Sequence, residues 1–242
     1  MSNDAVRKAI VIGVGPEDGL GGQLCTRFAE RGHHVFIGGR TAAKVEALAS
    51  SIGDNATAVV ADATDEAQVI ALFDAAEAAP GELTLAIYNA GNNTPGRIAE
   101  MEASYFESSW RVGAFGGFLF GREAVRRMRG RGGTLLFTGA SASLRGRPNF
   151  GAFNASKGAL RNLAQAMAKE YGEEGIHVGH VVVDGPIGGE KIKKGFPEFA
   201  ERLGEDRMID IGGIVDCYEF LYNQPRRAWS FEVDVRTSLE NW

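Results

Sequence analysis

The chain has 242 residues, of which 44% are hydrophobic and 24% are charged, and its formal net charge is −5. This composition is that of a globular protein and excludes disordered and collagen-like chains. The negative charge disfavours nonspecific nucleic-acid binding, which depends on a basic face that neutralises phosphates. The two cysteines, Cys25 and Cys217, and the four histidines lack the spacing of metal ligands, so we expect no metal site.

The sequence carries no visible signal for export or for a membrane. Residues 1–8 are polar, and the apolar stretch that follows is interrupted at Gly13. No segment approaches the roughly 18 apolar residues of a membrane span. Few cysteines suit a reducing compartment. We therefore expect a cytoplasmic protein whose partners are neither membranes nor nucleic acid.

Short apolar segments alternate with helical patterns along most of the chain. In chain order we predict strand 9–12, helix 20–31, strand 34–38, helix 42–51, strand 56–61, helix 66–78, strand 83–88, helix 104–129, strand 134–137, helix 152–171 and strand 177–183. Such alternation implies right-handed crossovers and a parallel sheet that is covered on both faces. The prediction is one α/β domain over residues 1–242, a doubly wound Rossmann-type parallel sheet. Residues 187–228 form its helical segment on the substrate side, and 230–235 add an edge strand.

A glycine-rich loop, GVGPEDGLG over residues 13–21, follows the first strand. Such a loop lets backbone N–H groups approach a pyrophosphate at a helix N-terminus. The strict GxGxxG spacing fails at Asp18, whereas Gly15, Gly19 and Gly21 form an intact GxxxGxG pattern. The position of the loop between strand and helix predicts a dinucleotide site that includes Gly15, Gly19, Leu20 and Gly21.

The end of the second strand bears on the choice of cofactor. In dinucleotide folds an acidic residue about 20 positions on binds the ribose of NAD, whereas arginine there accommodates the 2′-phosphate of NADP. No acid is in range here, and Arg40 lies nineteen residues after Gly21. The sequence favours NADP(H) over NAD(H), and the alternative is that Arg40 is a surface residue without a ligand.

Three further segments match one protein family. Asp62-Ala63 follows the third strand, Asn89-Ala90-Gly91 follows the fourth, and Asn154-Ala155-Ser156-Lys157 lies in a helix after the fifth. With the glycine spacing, they make residues 8–185 resemble the short-chain dehydrogenase/reductase superfamily. The resemblance implies a Rossmann-type oxidoreductase that acts on a small molecule.

The resemblance also implies a set of cofactor contacts. Asp62 and Ala63 would flank the adenine, Asn89, Ala90 and Gly91 would support the strand and contact the cofactor, and Lys157 would bind the ribose. The segment Val181–Ile187 resembles the part of the family that lies over the nicotinamide, although Pro-Gly appears here as Gly-Pro. Pro186 and Ile187 are the expected nicotinamide contacts.

The family's catalytic pattern is incomplete in this chain. The family uses Asn, Ser, Tyr and Lys, and the Lys ammonium lowers the pKa of the Tyr that acts as acid and base. The corresponding residues are Gly113, Ala140, Phe153 and Lys157. An enoyl-reductase spacing, with Tyr seven residues before Lys, falls on Phe150. The chain therefore resembles a divergent subgroup in which Phe replaces the active-site Tyr.

Two functions are consistent with this pattern. The first is an NADP(H)-dependent oxidoreductase for a small carbonyl, alcohol or activated alkene, in which Lys157 remains and a nonstandard group such as Ser141 supplies a proton. The second is a catalytically degenerate NADP(H)-binding sensor or partner subunit. The intact nucleotide features support both, and we favour the oxidoreductase.

The resemblance finally implies assembly into a homodimer or homotetramer. Relatives pair through helices that correspond to residues 104–129 and 152–171. We expect the contact face in the first of these helices to consist of Phe115, Gly116, Gly117, Phe118 and Leu119.

Overall fold

A parallel sheet of seven strands forms the centre of the protein. The structure is a computed structural model that describes residues 6–240. Its strands are β1 (Arg7–Ile12), β2 (His33–Gly39), β3 (Ala56–Val60), β4 (Glu82–Tyr88), β5 (Gly133–Thr138), β6 (Ile176–Val183) and β7 (Glu232–Val235). The strand order is β3-β2-β1-β4-β5-β6-β7. Because β1 lies between β2 and β4, the winding direction changes there, and the loops after β1 and β4 meet at the carboxyl edge of the sheet.

Helices cover both faces of this sheet. They are α1 (Leu20–Glu30), α2 (Ala42–Ile52), α3 (Glu66–Ala78), α4 (Ala103–Trp110), α5 (Gly116–Met128), α6 (Gly151–Tyr171), α7 (Glu190–Lys193), α8 (Pro197–Leu203) and α9 (Ile211–Tyr222). One face buries Phe73, Phe120 and Leu160 under α3, α5 and α6. The other buries Phe28, Leu48 and Tyr218 under α1, α2 and α9. The predicted doubly wound Rossmann-type sheet is confirmed, and no helix within residues 6–240 is long and apolar enough to cross a membrane.

Two helical regions differ in detail from the prediction. The stretch 104–129 consists of α4 and α5, joined by the wider helical turn Arg111–Phe115. The predicted substrate-side segment 187–228 contains α7, α8 and α9. Of these, α9 packs against α1, where Arg27 forms ion pairs with Asp216 and Glu219. The part of this segment that adjoins the glycine loop lies before α9, at Gly189, where a Cβ would be 3.4 Å from the Asp18 carbonyl.

The small residues of α5 face the core. A Cβ on Gly116 would overlap the Tyr88 hydroxyl, and a Cβ on Gly117 would overlap the Leu160 side chain. Leu119 is buried as well. The expectation that these three residues form an outer contact face is wrong, because helix periodicity turns them toward the sheet. The exposed aromatic side chains of this region are those of Phe106, Trp110 and Phe118.

Candidate functional site

The glycine loop after β1 is held against the end of β4. Gly13 adopts a φ of 88°, and a Cβ there would lie 2.5 Å from the Cα of Ala90. Asn89 Nδ2 donates to the Gly13 carbonyl at 3.1 Å. A Cβ on Gly21 would lie 3.0 Å from the same Nδ2 atom. Glycine at positions 13 and 21 thus permits the close approach of loop, helix and strand.

The same loop leaves room for an anion at the start of α1. A Cβ on Gly15 would meet no atom within 4 Å. Gly19 is the N-cap residue of α1, and no side chain caps the helix there. The first N–H groups of a helix carry partial positive charge and need acceptors. A glycine loop followed by an N-terminus without a side-chain cap fits the pyrophosphate of a dinucleotide.

Asn89 links the loop to the neighbouring strand β5. Its Oδ1 accepts a hydrogen bond from Thr138 Oγ1 at 2.9 Å. That hydroxyl also lies 2.6 Å from the Tyr218 hydroxyl of α9. No motif in the sequence marks Thr138 and Tyr218, because these residues act by orienting Asn89.

Arg40 lies at the far end of the same edge, beside the residues predicted to flank the adenine. Its Nη1 is 3.9 Å from Asp62 Oδ2, and its side chain is 70% exposed. Asp62 in turn accepts hydrogen bonds from the backbone N–H and the hydroxyl of Thr64. Ala63 is buried next to them. Arg40 therefore presents an exposed guanidinium at the end of β2.

Lys157 lies beneath the carboxyl ends of β4 and β5. Only 4% of the residue is exposed, and Nζ donates to the Thr138 carbonyl at 2.6 Å. A Cβ on Gly91 would lie 3.5 Å from Nζ, so the predicted cofactor residues of β4 and Lys157 are brought together. Burial lowers the pKa of Lys157 to about 8. The ring centroid of Phe153, the residue predicted to replace the family's tyrosine, lies 5.9 Å from Nζ.

The space beside Gly113 is filled from α6. A Cβ on Gly113 would overlap Ser156 Oγ and would lie 3.0 Å from Ser156 Cβ. Ser156 Oγ donates to the Ser109 carbonyl at 3.1 Å, next to the wide turn between α4 and α5. Ser109 Oγ in turn donates to Asn92 Oδ1 at 2.9 Å. A hydroxyl of the chain therefore fills the space beside Gly113, the position that the sequence predicts to correspond to the family's asparagine.

Ser141, the predicted alternative proton donor, lies beside a buried carboxylate. It is buried at the end of β5 and hydrogen-bonded to Asp184 at the end of β6. Burial alone would raise the pKa of Asp184, but the hydrogen bonds from Ser141 and Arg145 outweigh it and hold the pKa below its usual value. Ala140 presents only a methyl group. The serine hydroxyl thus faces the buried carboxylate of Asp184.

The segment after β6 reaches across the edge toward the glycine loop. The Pro186 carbonyl accepts from the N–H of Ile209 at 2.8 Å, and Ile187 pairs with Ile209. Further on, a Cβ on Gly189 would lie 3.4 Å from the Asp18 carbonyl. Pro186 and Ile187 are therefore anchored beside the edge on which a nicotinamide would lie.

A buried histidine that no sequence motif marks lies behind Lys157. His180 lies in the apolar strand β6, with Nδ1 2.9 Å from Glu232 Oε2. Arg161, one turn beyond Lys157 in α6, donates twice to Glu232, at 2.6 and 2.9 Å. A Cβ on Gly139 would overlap the His180 ring. Burial lowers the pKa of His180 to about 4, so the ring is neutral at physiological pH.

Comparison with known proteins associates this architecture with one family. A family model described as short chain dehydrogenase matches residues 8–189. The crystal structure of a short-chain dehydrogenase from Rhodopseudomonas palustris is 33% identical, with a TM-score of 0.81 over 95% of this chain and 98% of that one. The NADPH-dependent aldehyde reductase-like protein, chloroplastic, of Arabidopsis thaliana is 30% identical over 239 residues, which cover 90% of this chain and 87% of that protein. The uncharacterized oxidoreductase YuxG of Bacillus subtilis is 32% identical over 193 residues, which cover 77% of this chain but only 28% of that protein.

Proposed function

Because the chain belongs to the short-chain dehydrogenase family, we propose that it is an NADP(H)-dependent oxidoreductase acting on a small carbonyl compound, alcohol or activated alkene. The observation that carries the proposal is the carboxyl edge of the sheet. There an open glycine loop, the uncapped start of α1 and the buried Lys157 lie together. The bound nicotinamide would supply the hydride, and the residues of this chain would position it and provide the proton.

The preference for NADP(H) rests on Arg40. Its guanidinium is exposed at the end of β2, and the only carboxylate paired with it among residues 6–240 is Asp62, 3.9 Å away. An arginine at this place can donate to a 2′-phosphate. The NADPH dependence in the name of the Arabidopsis relative is consistent with this assignment.

Lys157 is the proton-carrying group that we assign to this site. Among the four positions of the family's catalytic set it is the one that titrates, since Gly113, Ala140 and Phe153 have no exchangeable side-chain proton. A pKa near 8 places its proton exchange closer to neutral pH than that of an exposed lysine. Phe153 contributes an apolar wall beside the amine.

A second candidate function is favoured by a specific observation. The position of the missing asparagine is filled by Ser156, whose hydroxyl is bound to the Ser109 carbonyl. A packed position of this kind suits a chain that binds NADP(H) without turnover, as a sensor or as the partner subunit of an active enzyme.

Calorimetric titration of NADPH and NADH separates these assignments. We expect NADPH to bind more tightly than NADH to the wild type. The substitution Arg40→Ala should remove a charge-assisted contact of about 1.5–3 kcal/mol, which weakens NADPH binding by about 10- to 140-fold and leaves NADH binding unchanged. Arg129→Ala is the matched control, because Arg129 pairs with Glu174 at the opposite edge of the sheet. Unchanged NADPH affinity in Arg40→Ala would remove Arg40 from the site.

Oxidation of NADPH is then followed with a panel of aldehydes, ketones and enones. Turnover supports the oxidoreductase. Tight NADPH binding without turnover of any member of the panel supports the sensor or partner subunit. Failure to bind either cofactor contradicts both functions.

A further inference from the structure

Two arginines of the loop after β5 hold a carboxylate from the segment that follows β7. Arg147 Nη2 donates to Glu240 Oε1 at 3.1 Å, and Arg145 Nη2 lies 3.9 Å from the same oxygen. The side chains of Arg145 and Arg147 are 36% and 42% exposed. The carboxylate of Glu240 is therefore held at the surface, where solvent reaches both guanidinium groups.

Both arginines also contact the buried carboxylate of Asp184. Arg145 donates to both oxygens of the buried Asp184, at 2.9 and 3.1 Å. A third guanidinium, that of Arg236, lies 3.9 Å from Asp184 and is ion-paired with Asp234. Arg147 Nη2 lies 3.4 Å from Asp184 Oδ1, so among the residues that the structure describes its shortest carboxylate contact is the one with Glu240.

The cluster adjoins the candidate site. The backbone N–H of Arg145 donates to the Ser141 carbonyl at 3.1 Å, and Ser141 follows Ala140, the position at which the family orients its substrate carbonyl. A Cβ on Gly185 would lie 4.0 Å from Glu240 Oε2, and Pro186 and Ile187 follow directly. Glu240 thus lies over the residues that precede the predicted nicotinamide contacts.

Both guanidinium groups have donors to spare. In the hydrogen bonds within residues 6–240, Arg145 and Arg147 donate through Nη2 alone. Paired N–H groups of a guanidinium match the two oxygens of a carboxylate, and such bidentate contacts are stronger than single ones. A ligand that bound both arginines through two oxygens would make more contacts than Glu240 does, and it could therefore displace Glu240.

We infer that Arg145 and Arg147 form a subsite for the carboxylate of a small oxo acid, and that Glu240 fills this subsite when the ligand is absent. This inference rests on the proposed function, because it assigns the substrate of that site to the class of carboxylate-bearing carbonyl compounds. Ser141 and Asp184 act as positioning residues that fix Arg145.

The test compares a carboxylate with its neutral ester. Benzoylformate and methyl benzoylformate are titrated at constant ionic strength into the wild type, Glu240→Gln, Arg147→Ala and Glu174→Gln. Glu174 is the matched control, because it pairs with Arg129 at the opposite edge. Thermal unfolding of each variant, measured alongside, reports on the fold.

We expect Glu240→Gln to bind benzoylformate at least tenfold more tightly than the wild type, and Arg147→Ala to lose this binding. The ester should show no such gain, and Glu174→Gln should behave as the wild type. The inference is overturned if Glu240→Gln gains nothing, if the ester gains equally, or if Glu174→Gln gains as much. If Glu240→Gln does not fold, the wild type and Arg147→Ala decide, since equal affinity in both contradicts the subsite.

NADPH affinity, measured in the same preparations, separates this inference from the proposed function. Benzoylformate binding that depends on Arg147, in a protein without affinity for NADPH, supports the subsite and contradicts the oxidoreductase. Binding of NADPH together with equal affinities for benzoylformate and its ester supports the oxidoreductase and contradicts the subsite.

Discussion

The packing of Gly113 against Ser156 leads to a quantitative prediction for Gly113→Ala. The new methyl group would overlap Ser156 Oγ, so the hydroxyl must rotate away from the Ser109 carbonyl or the helices must separate. Loss of the hydrogen bond to a buried carbonyl costs about 1–3 kcal/mol. Replacement of a helical Gly by Ala returns about 0.5–1 kcal/mol. With the strain of overpacking, we expect the free energy of unfolding to fall by about 2 kcal/mol.

Urea denaturation of four variants tests this prediction. Gly158→Ala, in α6, is the matched control, because its Cβ would meet no atom within 4 Å, and it should stabilise the protein by about 0.5–1 kcal/mol. Ser156→Ala removes the hydroxyl that the new methyl group would overlap. In that background Gly113→Ala should cost at least about 1 kcal/mol less than in the wild type. The reasoning is refuted if Gly113→Ala matches Gly158→Ala in stability, or if the two substitutions at 113 and 156 are additive.

This geometry also limits any attempt to restore the family's catalytic set. Asparagine is larger than alanine, so Gly113→Asn introduces the same overlap with Ser156. Combining it with Ala140→Ser and Phe153→Tyr therefore calls for Ser156→Ala as a fourth substitution.

Two further predictions concern acid stability and assembly. Burial lowers the pKa values of His33 and His180 from 6.5 to about 4, so the unfolded chain binds more protons than the native one between these values, and stability falls as the pH drops through this window. We expect each of these histidines to lower the free energy of unfolding by about 2 kcal/mol at pH 5 relative to pH 7.5. Equal free energies of unfolding at the two pH values, measured by urea denaturation, would contradict the burial of both rings in the neutral form. For assembly, we expect a homodimer or homotetramer that pairs through the exposed aromatic face of α4 and α5, and Trp110→Lys should reduce its mass in light scattering whereas Phe196→Lys, on an exposed loop, should not. A wild-type monomer at micromolar concentration would overturn this expectation.

The order of strands and helices could be predicted because each signal is local. Apolar segments of five to eight residues mark β1 to β6, and the alternation with helices fixes the parallel topology. The glycine loop could also be predicted, since dinucleotide folds carry their phosphate-binding loop between β1 and α1. Lys157 and the residues after β4 converge because the carboxyl ends of neighbouring parallel strands share one edge.

The contacts that change the site could not be predicted, because each joins distant parts of the chain. The sequence shows that position 113 lacks a side chain, but nothing in it marks Ser156 as the residue that fills the space beside Gly113. His180 is part of an apolar strand, and its partner Glu232 lies on a strand that the sequence signals weakly. The outward direction assigned to Gly116 and Gly117 was wrong, because the absence of a side chain carries no information about which way a helix position faces.

The contact of His180 with Glu232 has a consequence for the edge of the sheet. β7 has four residues, and a short edge strand ordinarily frays alone and exposes N–H and C=O groups on which another chain can pair. Here its first residue, Glu232, is bound to Arg161 of α6 and to His180 of β6. Detachment of β7 would strip a buried imidazole and a guanidinium of their shared carboxylate. Opening of the edge therefore breaks the Arg161–Glu232 ion pair and the His180 contact as well as the backbone hydrogen bonds to β6, so the side chain of Glu232 makes exposure of the β6 edge to another chain more costly.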